Sequence, residues 1–219
     1  CTTNIQKENP IKIFQQDLID KGLTGSNVAL VYQDGEIVYN EIVNSGAVGD
    51  ADIDENTIFA IHSMTKTVTT VAMMILLEQN LYQLDDELSK YLPEYSNVNC
   101  KGSDGIYPCK NKIKVIDLLT HRSGYTYYTR NGSNWLFNLH TDLEPYYIST
   151  TRFNNLDDFS KAVALQPLDF EPGSMYTYGL NQAILGRLIE VISGKSFYGF
   201  LKENIFDKLG MNDTKFHLT

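Results

Sequence analysis

The sequence predicts an α+β fold, on three observations. An amphipathic helical pattern is followed at once by an antiparallel hairpin signal. A long apolar helical pattern comes next, directly after a strand-like run. Two further helical patterns then follow, parted by a Ser-Gly pair, toward the C-terminal part of the chain.

Taken in order, residues 11–22 (IKIFQQDLIDKG) repeat apolar positions at helical spacing and stop at Gly22. In VALVYQDGEIVYNEIV two β-rich runs flank Asp34-Gly35, a pair suited to a tight hairpin turn. The run Thr57–Ile61 reads as strand-like and turns into an apolar helix from about Ser63, hydrophobic nearly all round and therefore expected to be buried. LDDELSKYLPEY follows as a local helix that Pro93 should end. IKVIDLLTHRSGYTYY reads as a helix closing at Ser123-Gly124. Residues 125–170, with Trp135 and several tyrosines, read as loops around one short helix near Leu156–Ala164. The last unit holds two helical patterns separated by Ser193-Gly194.

A chain of 219 residues, 42% hydrophobic, can bury one substantial core, and we expect a tether over residues 1–10 and one domain over 11–219. The formal net charge of −9 argues against a nucleic-acid partner, because no basic surplus is present to neutralise phosphates. No apolar run approaches the roughly 20 residues that cross a bilayer; the longest candidate is Val71–Leu77.

Of three cysteines, Cys100 and Cys109 bracket the polar loop CKGSDGIYPC. A disulfide between them would imply an oxidising compartment; the alternative is two reduced loop thiols in the cytosol. Their spacing does not suit zinc and no histidine is near in sequence, so no metal is expected. Cys1 followed by TTNIQKENP resembles a bacterial lipoprotein after removal of its signal peptide, the alternative being an arbitrary start. On that reading the protein is extracytoplasmic, in the periplasm or at the cell surface, with membrane attachment only through a lipid on Cys1.

The chemistry centres on Ser63-Met64-Thr65-Lys66. On a helix, positions i and i+3 share a face, so the Lys66 amine can reach the Ser63 hydroxyl. A serine hydroxyl is a poor nucleophile until a base takes its proton, and lysine can serve. A helix N-terminus adds backbone N–H groups and a positive dipole near a developing oxyanion. Alone, S-x-x-K is a weak signal, compatible with a Ser N-cap and a surface lysine.

The surrounding blocks sharpen it. TIFAIHSMTKTVTTVAMMILLEQNLYQLDDELSKYLPEY, IKVIDLLTHRSGY, EPGSMYTYGLNQAILGRLIEVISGKSF and IFDKLGMNDTKF occur in that order over roughly residues 57–216. Together they resemble the serine β-lactamase and penicillin-binding-protein family: class C β-lactamases, DD-carboxypeptidases and family VIII carboxylesterases. The resemblance implies an antiparallel sheet with a helical subdomain, Ser63 as nucleophile, Lys66 as its activating partner, and no cofactor. It also implies a tyrosine that carries the proton between nucleophile and leaving group. Tyr178, in Tyr178-Gly179-Leu180, matches that tyrosine, with Tyr176 as the competing assignment.

Two departures bear on function. The third position of the family's Y-x-N motif is Leu180, which weakens the β-lactam and peptide readings and favours an ester, since family VIII esterases relax that position; Asn181 could substitute only after a shift of register. Neither K-T-G nor H-x-G follows Tyr178. We therefore expect the sheet's remaining strands, with one oxyanion donor, to come from a second polypeptide segment; alternatives are a sequence that is a piece of a longer chain and oligomer contacts. Loss of one such donor costs about 100- to 1000-fold in rate. The functional expectation is a serine hydrolase forming an acyl-enzyme on a D-alanyl peptide, β-lactam or ester, its partner a small-molecule or peptide substrate. The alternative is a catalytically silent scaffold that binds cell-wall peptide or a protein. His121 is read as a packing or hydrogen-bonding residue and not as a base. Asn131-Gly132-Ser133 and Asn212-Asp213-Thr214 are glycosylation sequons, expected bare in a bacterial lipoprotein.

Overall fold

A computed structural model describes residues 9–127 and 153–216. The expectations about a lipid on Cys1, the Asn131 sequon and the Trp135 stretch lie outside the described residues. The chain divides into two compact units, Cys1–Ala60 and Ile61–Thr219.

In the first unit, helix α1 (Pro10–Asp20) starts at Asn9, whose side chain accepts from the Ile11 N–H, with Pro10 at the first helical position. It ends where expected, before Gly22 at φ 64°. Strands β1 (Asn27–Gln33) and β2 (Glu36–Val43) pair antiparallel from Asn27 opposite Val43 to Gln33 opposite Glu36. Asp34 and Gly35 both take positive φ, 52° and 88°, which suits the tight turn that Asp-Gly favours. A register shift between Val31 and Tyr32 marks a bulge. The α1 side chain of Gln15 is buried against this hairpin and donates to Asn27 Oδ1 (2.9 Å) and the Glu41 carbonyl (3.2 Å), while Tyr39 OH donates to Gln15 Oε1. The Asp50 carboxylate ties the ends of the hairpin region, accepting from Ser26 N–H, Ser26 OH and Ser45 OH. Thr57–Ile61, expected as a strand, forms none: its residues make no ladder, and Ile58 and Phe59 are half exposed.

The second unit is helical around α5 (Asn181–Ser193), which buries Ile184, Leu185, Leu188 and Ile189 completely. Helix α2 (Thr65–Glu78) lies against it through Thr69, Ala72, Met73 and Leu76, an i, i+3, i+4, i+7 stripe. The helix expected to be buried is so along this stripe, while Val71, off the stripe, is 43% exposed. Helices α3 (Val115–Leu119), α4 (Leu156–Ala164) and α6 (Phe197–Leu201) also pack on α5. Gly186 of α5 permits two of these approaches, since a Cβ there would sit 3.2 Å from Leu156 and 3.3 Å from Phe197.

Three local expectations change. LDDELSKYLPEY forms two short 3-10 turns, Leu88–Lys90 and Pro93–Tyr95, and Pro93 opens the second instead of ending a helix. Helix α3 ends at Leu119, ahead of Ser123-Gly124, because His121 takes the left-handed conformation at φ 56°. The cysteine loop is a hairpin, with β3 (Asn99–Gly102) antiparallel to β4 (Gly105–Pro108). Cys100 and Cys109 are disulfide-bonded, with Cα atoms 5.1 Å apart. Beside buried Cys100, Leu168 donates to the Asn99 carbonyl and accepts from Lys101 N–H, joining this hairpin to the segment before Tyr178.

Candidate active site

The site lies wholly within the second unit. His62–Met64 form a 3-10 turn that runs into α2, with His62 at φ 43°, a conformation disfavoured for a residue with a Cβ. Ser63 thus stands at the head of a buried helix, exposed to solvent, with Lys66 one turn along. Lys66 Nζ donates to Ser63 Oγ at 3.1 Å. Ser63 Oγ is also 2.6 Å from the hydroxyl of Tyr178. The Lys66 nitrogen lies 4.7 Å from the centroid of the Tyr178 ring. The Ser63 hydroxyl, the Lys66 amine and the Tyr178 phenol therefore form one group.

Tyr178 reaches this position on the loop before α5. Thr177 N–H donates to the His121 carbonyl and Gly173 N–H to the Arg122 carbonyl, so the loop is laced to the turn after α3. Gly179 lets the two backbones approach: a Cβ would sit 2.1 Å from the Tyr125 carbonyl oxygen and 2.7 Å from Thr126 Cα. The His121 ring lies 5.1 Å from the Tyr178 ring, tilted by 33°, and the Tyr127 ring 5.6 Å from it. Hydrogen bonding to Lys66, and then to Ser63, lowers the Tyr178 pKa from its ordinary value near 10. Burial, reinforced by the Lys66 charge, lowers that of His121.

Of the two candidate tyrosines, Tyr178 is the one hydrogen-bonded to Ser63; Tyr176 is 67% exposed and packs edge-on to His121. Leu180 points into the core, and Asn181 is fully buried, bonded to His121 and Ser123. His121 is accordingly hydrogen-bonded and packed, and the packing is against the site tyrosine itself. Ser123, Gly179 and Asn181 carried no sequence signal of such a role, because their partners are brought together only by the tertiary fold.

One cluster among the described residues has metal-ligand chemistry, Cys100, Cys109 and Glu171. Its sulfurs are spent in the disulfide, and the Glu171 carboxylate accepts the Lys110 and Asn111 N–H groups, so the donor set does not suit a metal.

The sequence model of the beta-lactamase family matches residues 12–219. The chain belongs to the beta-lactamase family. Among curated relatives in that family, esterase EstB of Burkholderia gladioli is 28% identical over 215 residues, covering 93% of this chain and 50% of its own. A putative D-alanyl-D-alanine carboxypeptidase of Escherichia coli K12 is 23% identical, covering 98% and 48%. The chain thus spans about half the length of the curated relatives it matches. Among solved structures, EstCE1, a hydrolase with promiscuous acyltransferase activity, superposes with a TM-score of 0.75 at 24% identity, over 91% of this chain and 50% of that one. The beta-lactamase-like fold expected from the sequence is therefore the fold observed.

Proposed function

We propose that this protein is a serine hydrolase that works through an acyl-enzyme on an ester or amide carbonyl, with Ser63 as nucleophile. The observation that carries the reading is the bridging position of Ser63 Oγ, 2.6 Å from the Tyr178 hydroxyl and 3.1 Å from Lys66 Nζ. A nucleophile within hydrogen-bond reach of a base, itself held by a third group, is the arrangement acyl transfer requires.

The geometry supports Tyr178 as the immediate base. Lys66, as an ammonium, stabilises the phenolate, and the lowered Tyr178 pKa has this as its first cause. The phenolate takes the Ser63 proton as Oγ bonds to the carbonyl carbon. The proton then passes from Tyr178 to the departing alkoxide or amine as its bond to carbon breaks. Water, deprotonated by the same phenolate, attacks the acyl-serine, and the proton returns to Ser63 Oγ as the acid leaves. The position of Ser63 ahead of α2 places the positive end of a 14-residue helix beside the developing oxyanion.

For substrate class we favour an ester over a β-lactam or D-alanyl peptide. Leu180 is buried in the core, so the third position of the Tyr178 motif offers no side-chain amide to a substrate, and an esterase is among the relatives. The Cys100–Cys109 disulfide supports an extracytoplasmic location.

Intact-mass spectrometry before and after a fluorophosphonate probe, with Ser63→Ala as control, tests the reading. One adduct per chain, lost in the variant, is expected. A folded protein with no adduct would overturn the hydrolase and leave the silent scaffold.

A further inference from the structure

We propose that Ser123 and Asn181 are positioning residues for Tyr178, acting through His121, whose imidazole they hold as the Nε2–H tautomer against the phenol ring. The inference rests on the reading of Tyr178 as the proton carrier.

Tyr125 N–H donates to Ser123 Oγ at 3.2 Å, and the Ser123 hydroxyl donates to Asn181 Oδ1. That fixes the amide of Asn181, a side chain with no exposed surface, so that Nδ2 faces His121 Nδ1 at 2.9 Å. Nδ2 offers only protons, so Nδ1 accepts and the imidazole proton sits on Nε2. A proton on Nδ1 would set N–H against N–H beside a buried amide that cannot turn to water. The titratable groups facing His121 are Lys66 from α2 and Tyr176 and Tyr178 from the loop before α5. The guanidinium of neighbouring Arg122 is turned to the Gly173 carbonyl. An imidazolium here would also repel the Lys66 ammonium that holds Ser63.

The backbone agrees with a positioning role. His121 holds a left-handed φ of 56°, and its carbonyl accepts from Thr177 N–H, one residue before Tyr178. That conformation is disfavoured for a residue with a Cβ. It places the imidazole beside the Tyr178 ring, which is 43% exposed.

The test uses the full-length protein, [15N]histidine NMR and the pH profile of fluorophosphonate labelling. In the wild type His121 is expected as the Nε2–H tautomer at pH 7. Asn181→Asp supplies a carboxylate that accepts from Nδ1–H, so the tautomer reverses or the ring protonates. Labelling should then slow by about 10-fold or more, with a changed pH profile, as misplacement of a reacting group implies. Ser123→Ala frees the amide and should lower the labelling rate in the same direction. A wild-type His121 on the Nδ1–H tautomer overturns the proposal even if both variants fail to fold. Labelling of Asn181→Asp at the wild-type rate and pH profile, while Ser63→Ala loses the adduct, overturns it and leaves the hydrolase standing. If the folded wild type takes no label, the hydrolase reading falls by itself, and the tautomer still decides whether the hydrogen-bond chain is as described.

Discussion

Gly179 lies so close to the backbone of Tyr125 that no side chain fits between them: a Cβ would sit 2.1 Å from the Tyr125 carbonyl oxygen. Since Gly179 follows Tyr178 directly, Gly179→Ala must push the phenol off Ser63. A shift of about 1 Å costs on the order of 100-fold in rate. We expect fluorophosphonate labelling of Ser63 to slow by that factor, with destabilisation of about 1–3 kcal/mol from overpacking, read as a lower urea midpoint. Labelling at the wild-type rate would mean that the loop can move without carrying Tyr178.

Tyr178→Phe removes the hydroxyl alone. The ring keeps its place beside His121 and Tyr127, so the melting temperature should change little, while labelling falls by about 100- to 10,000-fold. Tyr176→Phe, at an exposed residue without a hydrogen bond to Ser63, should label normally. The reverse ranking of these two variants would move the proton carrier to Tyr176.

The pH dependence has a defined sign. Tyr178 acts as a base only when deprotonated, and its pKa lies below the usual value near 10 because of Lys66 first and Ser63 second. The labelling rate should climb with pH and level off at a midpoint below 10. In Lys66→Gln the residual rate should level off at a higher pH, since the largest cause of the shift is gone. A midpoint unmoved by that change would separate the ionisation from Tyr178.

These expectations show how unevenly the site could be read from the sequence. Ser63 and Lys66 are one helical turn apart and need only α2 to meet. Tyr178 lies 115 residues beyond Ser63 and was placed by resemblance, not by spacing. Asp34-Gly35 announced its hairpin because both residues tolerate positive φ, and Gly22 and Gly194 announced helix ends for the same reason. His121 broke that logic by taking the left-handed position with a side chain attached, which ended α3 earlier than Gly124 suggested. The Ser123–Asn181–His121 chain was invisible because Asn181 lies 58 residues from Ser123 and the bond exists only once α3 and α5 are packed. Thr57–Ile61 misled in the other direction: β-prone residues form no strand without a partner to pair with.

Acid stability should report on Asp86. Its carboxylate accepts from Tyr91 OH (2.6 Å), Gln83 N–H (2.7 Å) and Lys90 Nζ (2.9 Å), and its pKa falls from 3.8 to about 2, with Tyr91 the first cause. A depressed carboxylate pKa gives stability that is complete above the unfolded value and is lost as pH falls through the folded one. The contribution, about 1–2 kcal/mol, should therefore vanish between about pH 4 and pH 2. Asp86→Asn should lower the melting temperature at pH 7 and flatten its slope across that window. Parallel curves for variant and wild type would refute the assignment.

Reduction of Cys100–Cys109 opens a loop with a sequence separation of 9, worth about 2–3 kcal/mol on chain-entropy grounds. Cys100→Ser with Cys109→Ser should shift the urea midpoint accordingly, and a reductant should do the same to the wild type but nothing more to the double variant.

The group that holds Ser63 also gives the protein an optical signal of its own. Burial or acidic neighbours raise the pKa of Tyr39, Tyr82, Tyr91, Tyr95, Tyr107 and Tyr125, to about 12 at Tyr82. Tyr178, by contrast with these six, is displaced downward. A phenolate absorbs at longer wavelength than a phenol, so of these chromophores the one that touches Ser63 is the first to change colour in an ultraviolet titration. The charge state of the site can thus be followed in the resting protein, with no substrate bound, simply by light.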